Sequence, residues 1–213
     1  MIRFSPGNPF ALFTLAWSAL LLAGCPGPTS PPTRFFLLAS LEAKENAIPR
    51  TPEGLTVELE PVEIPQYLNR PEIVTRASGN RIKLERMNQW AGDFKEDLGR
   101  VSMENLSRLL HSDRVIILPN KSEHASQFRL ATIINRFEPD EAGQVWLDAR
   151  WNLFDGRGRL LVTRHSDITV RAEQPEEYES LTGAMSRALG QLNREMADAI
   201  LAQSQADRTG ARP

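Results

Sequence analysis

Val145-Trp146-Leu147-Asp148-Ala149-Arg150-Trp151-Asn152-Leu153-Phe154 decides how this chain is folded. Val145, Leu147, Ala149, Trp151 and Leu153 share one parity, and Asp148, Arg150 and Asn152 share the other. The segment therefore predicts a strand with one apolar and one wet face. Asp155-Gly156-Arg157-Gly158 follows with turn chemistry, and residues 160–170 predict a return strand. Residues 128–137 predict a strand before it, so the three form an antiparallel meander. With strands on both sides, Gly156-Arg157-Gly158 reads as a hairpin turn rather than a phosphate loop.

Working outward, Pro175 and two glutamates open a helix whose stripe is Tyr178, Leu181, Met185, Leu189, Leu192, Met196 and Ile200. From Gln203 the sequence turns polar, and 204–213 are expected to be a disordered tail. Upstream, Asp93 with Glu96 resembles a capping box, and Phe94, Leu98, Val101, Leu106, Leu109 and Leu110 predict an amphipathic helix over 93–111. Val115 to Leu118 predicts a short strand stopped by Pro119. Ser78-Gly79-Asn80 is flanked by Ile73–Thr75 and Arg81–Glu85, a hairpin pattern. Leu55, Val57 and Leu59 alternate with polar residues, Pro61 and Pro65 end that ladder, residues 42–53 read as loop, and Arg34–Leu41 reads as a buried first strand. The expected class is α+β: a mostly antiparallel sheet of about six strands with two amphipathic helices packed on one face.

The amino terminus carries Arg3, then an apolar run from Phe10 to Gly24 that is too short to span a bilayer of about 30 Å. Leu22-Ala23-Gly24-Cys25 has the pattern of a bacterial lipobox. It predicts a leader over 1–24, cleavage before Cys25 and acylation of that residue, the sole cysteine of the chain. Several acyl chains, at about 0.8 kcal/mol per buried CH₂, make a nearly permanent membrane anchor. The competing reading is an ordinary signal peptide or an uncleaved anchor in which Cys25 is incidental. Residues 25–33, rich in proline, form a lipidated tether reaching about 25 Å as polyproline II. A periplasmic domain over 34–203 follows. Pro26, where an aspartate would retain a lipoprotein in the inner membrane of enteric bacteria, points to the outer membrane.

The 25 basic residues lose Arg3 with the leader and face 27 acidic ones, without basic blocks, which argues against nucleic acid as a partner. Once Cys25 is lipidated there is no thiol for a disulfide, a zinc site or a nucleophile. His111, His124 and His165 have no metal-ligand spacing, and no metal or cofactor is expected. His111 ends a helix, where an imidazolium suits the dipole. His165, Ser166 and Asp167 are adjacent in a strand and point to alternate faces, so they cannot form a relay with one another. Asp140-Glu141 and Glu176-Glu177 suit a turn and a helix start. No catalytic residue is expected, and the chain does not read as an enzyme.

Two features stand out against this background. Tyr67-Leu68-Asn69-Arg70-Pro71 places an aromatic, an aliphatic and an arginine in a proline-bounded loop, a composition found at protein interfaces. Tyr67 and Leu68 could equally staple the loop to the core. Trp90 reads either as a core plug or as an exposed anchor, with Gly92 allowing a close approach to the helix start.

The same residues carry a resemblance. A lipobox, a strand ending Val62-Glu63-Ile64-Pro65, the run 67–76 (YLNRPEIVTR), a hairpin through Asn80-Arg81-Ile82, Asn88-Gln89-Trp90-Ala91, and a helix ending Glu104-Asn105-Leu106-Ser107-Arg108-Leu109-Leu110 occur in that order. In this the chain resembles the PqiC-like family of ABC-type transport auxiliary lipoproteins, most densely over 57–110. It departs at Gly92-Asp93-Phe94, where the family commonly has Glu-Pro-Leu. The resemblance implies a periplasm-facing lipoprotein that docks the MCE-domain protein of an intermembrane lipid transporter at the outer membrane, possible homo-oligomeric ring included. The partner-binding candidates are Tyr67, Leu68, Arg70, Pro71 and Trp90. A periplasmic lipid-binding lipoprotein without a transporter partner is the alternative, and an envelope hydrolase acting through His165 a distant third.

Overall fold

A computed structural model describes residues 31–42, 55–119 and 125–209. The leader, Cys25, most of the tether, the bulk of the 42–53 loop and His124 lie outside the described residues. The described residues from Thr33 onward form one compact unit.

The predicted meander is its centre. Strands β6 (Phe128–Pro139), β7 (Gln144–Asp155) and β8 (Leu160–Arg171) pair antiparallel, with Leu130 opposite Leu153, and Leu147 opposite Ile168. Val145, Leu147, Ala149, Trp151 and Leu153 are all buried on the face that helix α2 (Tyr178–Arg208) covers. The stripe of α2 from Leu181 to Ile200 is buried against it and against helix α1 (Phe94–Leu109), as the 3.6-residue spacing predicts. Asp93 caps α1, its Oδ1 accepting from the Glu96 amide at 2.9 Å. Residues 204–208, expected in the tail, are helical: α2 continues to Arg208.

The sheet arrangement corrects the expectation of one mostly antiparallel sheet. There are two mixed sheets, ordered β1-β4-β3 and β5-β2-β6-β7-β8, where β1 is Arg34–Phe36, β2 Val57–Leu59, β3 Glu72–Ser78, β4 Arg81–Trp90 and β5 Val115–Ile117. β2 lies between β5 and β6 and is parallel to both; β1 is parallel to β4. Side-chain alternation reports which face is wet and says nothing about strand direction. The connection from β2 through the β3–β4 hairpin and α1 to β5 is long enough for a parallel crossover. The predicted strand 34–41 also shrinks to three residues with an exposed side, Phe35 and Leu37 facing solvent. Beyond it the Leu38 amide donates to Asp97 Oδ2 at 2.9 Å instead of to a neighbouring strand.

The turn assignments hold. Asp155 Oδ1 accepts from the amides of Arg157 and Arg159, Gly158 has φ +83°, and a Cβ at Gly156 would sit 2.1 Å from Ser126 O. Gly92 makes no close approach, contrary to expectation: nothing lies within 4 Å of a Cβ there.

His111 follows α1 in the left-handed region, φ 45°. Ser112 N donates to Ser107 O at 3.0 Å and His111 N to Arg108 O at 3.3 Å, the paired bonds of a glycine-type helix stop. A histidine here carries the Cβ strain that glycine avoids. His111→Gly is expected to raise stability by about 1 kcal/mol, read as a shift in urea midpoint at unchanged slope. A lowered midpoint would show that the imidazole makes a compensating contact.

Candidate functional site

The loop after Pro65 is a tight turn, with Leu68 N on Pro65 O at 3.0 Å and Asn69 N on Gln66 O at 3.2 Å. It drops Leu68 into the core. Trp90 N then donates to Pro71 O at 2.7 Å, so the end of the loop is tied to the end of β4. The Trp90 ring stacks on Phe94 at 4.5 Å and 18°, and Phe94 on Phe137 at 6.0 Å. Leu68 and Trp90 are thus core residues that hold the loop from behind. Of the alternatives read for Trp90, the core plug is the one the geometry displays.

Tyr67 is half-buried and donates to Glu138 Oε2 at 2.9 Å. Glu138, on β6, is 0% exposed. Its Oε1 accepts from Arg76 Nε at 2.6 Å and Arg136 Nε at 2.9 Å, and its Oε2 also accepts from the Phe137 amide at 3.2 Å. Arg76 reaches Gly79 O with its Nη1 at 2.8 Å, and its backbone pairs in parallel with that of Asp140, where the two sheets meet. The Arg136 guanidinium lies 4.9 Å over the Trp146 ring. A buried carboxylate is tolerated only when paired and hydrogen-bonded, and two guanidiniums with a phenol satisfy it here. The sequence reading missed Glu138. Its one trace was the arginine two residues before it, since both it and Phe137 are buried and parity is lost there.

The knot leaves Gln66, Asn69 and Pro71 exposed and Arg70 partly so. Arg70 Nε pairs with Glu72 Oε2 at 3.1 Å with its side chain one-third exposed, and Pro71 is exposed. The structure therefore brings Tyr67, Leu68 and Trp90 together beneath the loop and presents Arg70 and Pro71 outward.

Burial pushes the Tyr67 hydroxyl up to about 12, helped by the negative charge of Glu138. Tyr178 is also pushed up, chiefly by burial. The phenol stays neutral in the fold where it would ionise at about 10 unfolded. Its contribution to stability is therefore complete below pH 10 and lost as pH rises from 10 through 12. Compared with Tyr67→Phe, the wild type should show an additional phenolate absorbance step displaced to about pH 12 while the protein is folded. A Tyr67 step at the ordinary value near 10 would break the Tyr67–Glu138 contact as described.

A second clasp holds the segment after β1. Leu41 N donates to Asn105 Oδ1 at 2.7 Å, Arg108 Nη1 donates to Ser40 Oγ at 2.7 Å and also to Leu41 O, and Asp97 holds the Leu38 amide. Asn105 is buried and donates in turn to Asn193 Oδ1 at 2.9 Å, linking α1 to α2. The Asn105 and Arg108 of the helix motif thus bind the amino-terminal segment along α1.

The structure separates His165 from Ser166. Ser166 is buried, accepts from Trp151 Nε1 at 3.0 Å and donates to Glu195 Oε2 at 2.5 Å, while His165 is exposed with Nε2 3.1 Å from Asp148 Oδ2. The pair lies on opposite faces of β8, as parity predicts. Asp140 Oδ1 accepts from the amides of Ala142 and Gln144, a turn role. Among the described residues no group of three His, Cys, Asp or Glu could hold a metal ion. An apolar cavity between α1, α2 and the sheet, lined by Leu59, Leu98, Leu106, Ile117, Leu130 and Met196 among others, measures about 20 Å³. That is the room of one or two water molecules, not of an acyl chain. No helix among the described residues is long and apolar enough to cross a membrane.

The sequence profile described as ABC-type transport auxiliary lipoprotein component matches residues 36–197. No curated protein matches the chain. Among solved structures, protein XCC0632 from Xanthomonas campestris, of family DUF330, is similar with a TM-score of 0.67 and 16% identity, covering 83% of this chain and 99% of that one. A protein described as uncharacterized is similar with TM-score 0.67 and 17% identity, covering 80% and 99%. Identities this low establish a shared fold.

Proposed function

Because the chain belongs to the family of ABC-type transport auxiliary lipoprotein components, we propose that it docks the MCE-domain protein of an intermembrane lipid transporter at the outer membrane, held there by lipid on Cys25. The observation that carries this reading is the 65–71 loop: a turn locked from behind by Leu68, Trp90 and the Glu138 knot, with Arg70 and Pro71 held outward. A rigid, preorganised loop loses little entropy on binding, and arginine is enriched at such contacts. The Pro26 that follows Cys25 supports outer-membrane sorting. Assembly into a homo-oligomeric ring is part of the proposal, taken from the family resemblance.

Cross-linking in envelopes and purification through a carboxy-terminal tag tests it. An MCE-domain protein should be recovered with the wild type. Arg70→Glu, which sets a second carboxylate beside Glu72, should reduce that recovery at least about tenfold, the loss expected of an interface hot spot. Stability should change little, since a pair this exposed contributes about 0–1 kcal/mol. Full recovery with Arg70→Glu removes the loop from the interface. Co-purified lipid, and no partner, on native mass spectrometry of the domain would instead favour the lipid-binding reading.

A further inference from the structure

Phe35 and Leu37 are the most exposed large apolar side chains among the described residues, at 62% and 57%. They stand two residues apart in extended chain and so project to one side. Phe36 between them turns the other way, its ring 6.2 Å from that of Tyr178, and the Phe36 carbonyl accepts from Ala91 N at 2.9 Å. The segment is pinned just beyond, where Ala39 N donates to Ser186 Oγ at 3.0 Å and Leu38 N to Asp97. The outward side is thus fixed by a rigid mount. Arg34 turns with Phe36, its guanidinium 5.9 Å over that ring and its Nε donating to Asn88 Oδ1 at 3.0 Å, so the outward side is left to the apolar pair.

Position in the chain selects the occupant. Phe35 follows Cys25 by ten residues, which at full extension span at most about 36 Å. A lipidated Cys25 therefore confines these two side chains close to a membrane surface. Exposed apolar tips held this close to a bilayer are the groups that enter the boundary between headgroups and acyl chains. We propose that Phe35 and Leu37 insert into the membrane that receives the Cys25 lipid, giving β1 a second membrane contact and setting the orientation of the domain on the bilayer. This rests on the reading of Cys25 as lipidated.

Acylation of Cys25 leaves the mature protein without a thiol, so Phe35→Cys can be labelled at one position with a nitroxide. The lipidated full chain would be reconstituted in phosphatidylethanolamine–phosphatidylglycerol vesicles, with Thr163→Cys, exposed on β8, as reference. The expected result is a label at 35 that collides more with oxygen and less with a nickel chelate than the label at 163, the signature of depth. A product whose mass lacks acyl chains would overturn the anchor reading and this inference together. An acylated product whose label at 35 is as nickel-accessible as the reference would overturn this inference alone. Dipolar broadening between labels without loss of nickel access would assign the strand to a second copy of the chain, which also overturns it.

Discussion

Glu138→Leu should lower the unfolding free energy by about 3 kcal/mol, the cost of leaving one side of a buried ion pair uncompensated. Glu138 accepts from Arg76, Arg136, Tyr67 and the Phe137 amide, so its removal orphans two guanidiniums and a phenol at once. The arginine side chains are 22% and 29% exposed and recover part of their hydration, which places the loss at the lower end for a broken buried pair. Tyr67→Phe removes one hydrogen bond of that set and should cost about 1 kcal/mol. The pair of midpoints in urea separates the two, and the larger loss should come with faster proteolysis in the 65–71 loop. A Glu138→Leu loss no greater than that of Tyr67→Phe would mean that the arginines find water freely and that the knot does not hold the loop.

Trp151→Ala is expected to cost about 4 kcal/mol, as for other fully buried large side chains truncated to alanine. The indole sits at the middle of β7 on the face that α2 covers, and its Nε1 donates to Ser166, which donates to Glu195 of α2. Truncation empties the centre of the core and breaks the polar link between sheet and helix. For a domain of this size the melting temperature should fall by about 8–16 °C. Trp151→Phe keeps most of the volume and loses the donor, so its cost should be about 1–2 kcal/mol. Thermal unfolding followed by circular dichroism checks both, and a small loss for Trp151→Ala would place the weight of the core elsewhere.

The elements that the sequence disclosed are those where one physical period runs long enough to be unmistakable. The alternation from Val145 to Leu153 and the stripe from Leu181 to Ile200 each bury the residues they nominate. The capping role of Asp93 and the turn at Asp155 are local hydrogen-bond chemistry and were legible for that reason. What escaped depends on partners far along the chain. Val57–Leu59 alternates correctly, yet nothing in three residues tells that Val115 and Phe128 flank Val57 in parallel. Glu138 is surrounded by residues from 67, 76 and 136, and no local pattern announces a carboxylate with those neighbours. At the candidate site, the sequence nominated a loop but could not divide it. Leu68 and Trp90 face inward because the turn at Pro65 and the stack on Phe94 place them there, which leaves Pro71 exposed and Arg70 partly so.

The central place of β2 has a kinetic consequence. Its two neighbours come from 58 and 71 residues further along, by the registers Val57 with Val115 and Val57 with Phe128. Loops of that length are slow to close, whereas the hairpins of β6, β7 and β8 close locally and can nucleate first. The amino-terminal segments leave the ribosome before their partners exist: β1 must wait for residues 88–90 of β4, and β2 for β5 and then for residues 128–130 of β6. β2 is therefore among the last strands to be enclosed, and it is the segment most in need of a holdase while the chain is in transit.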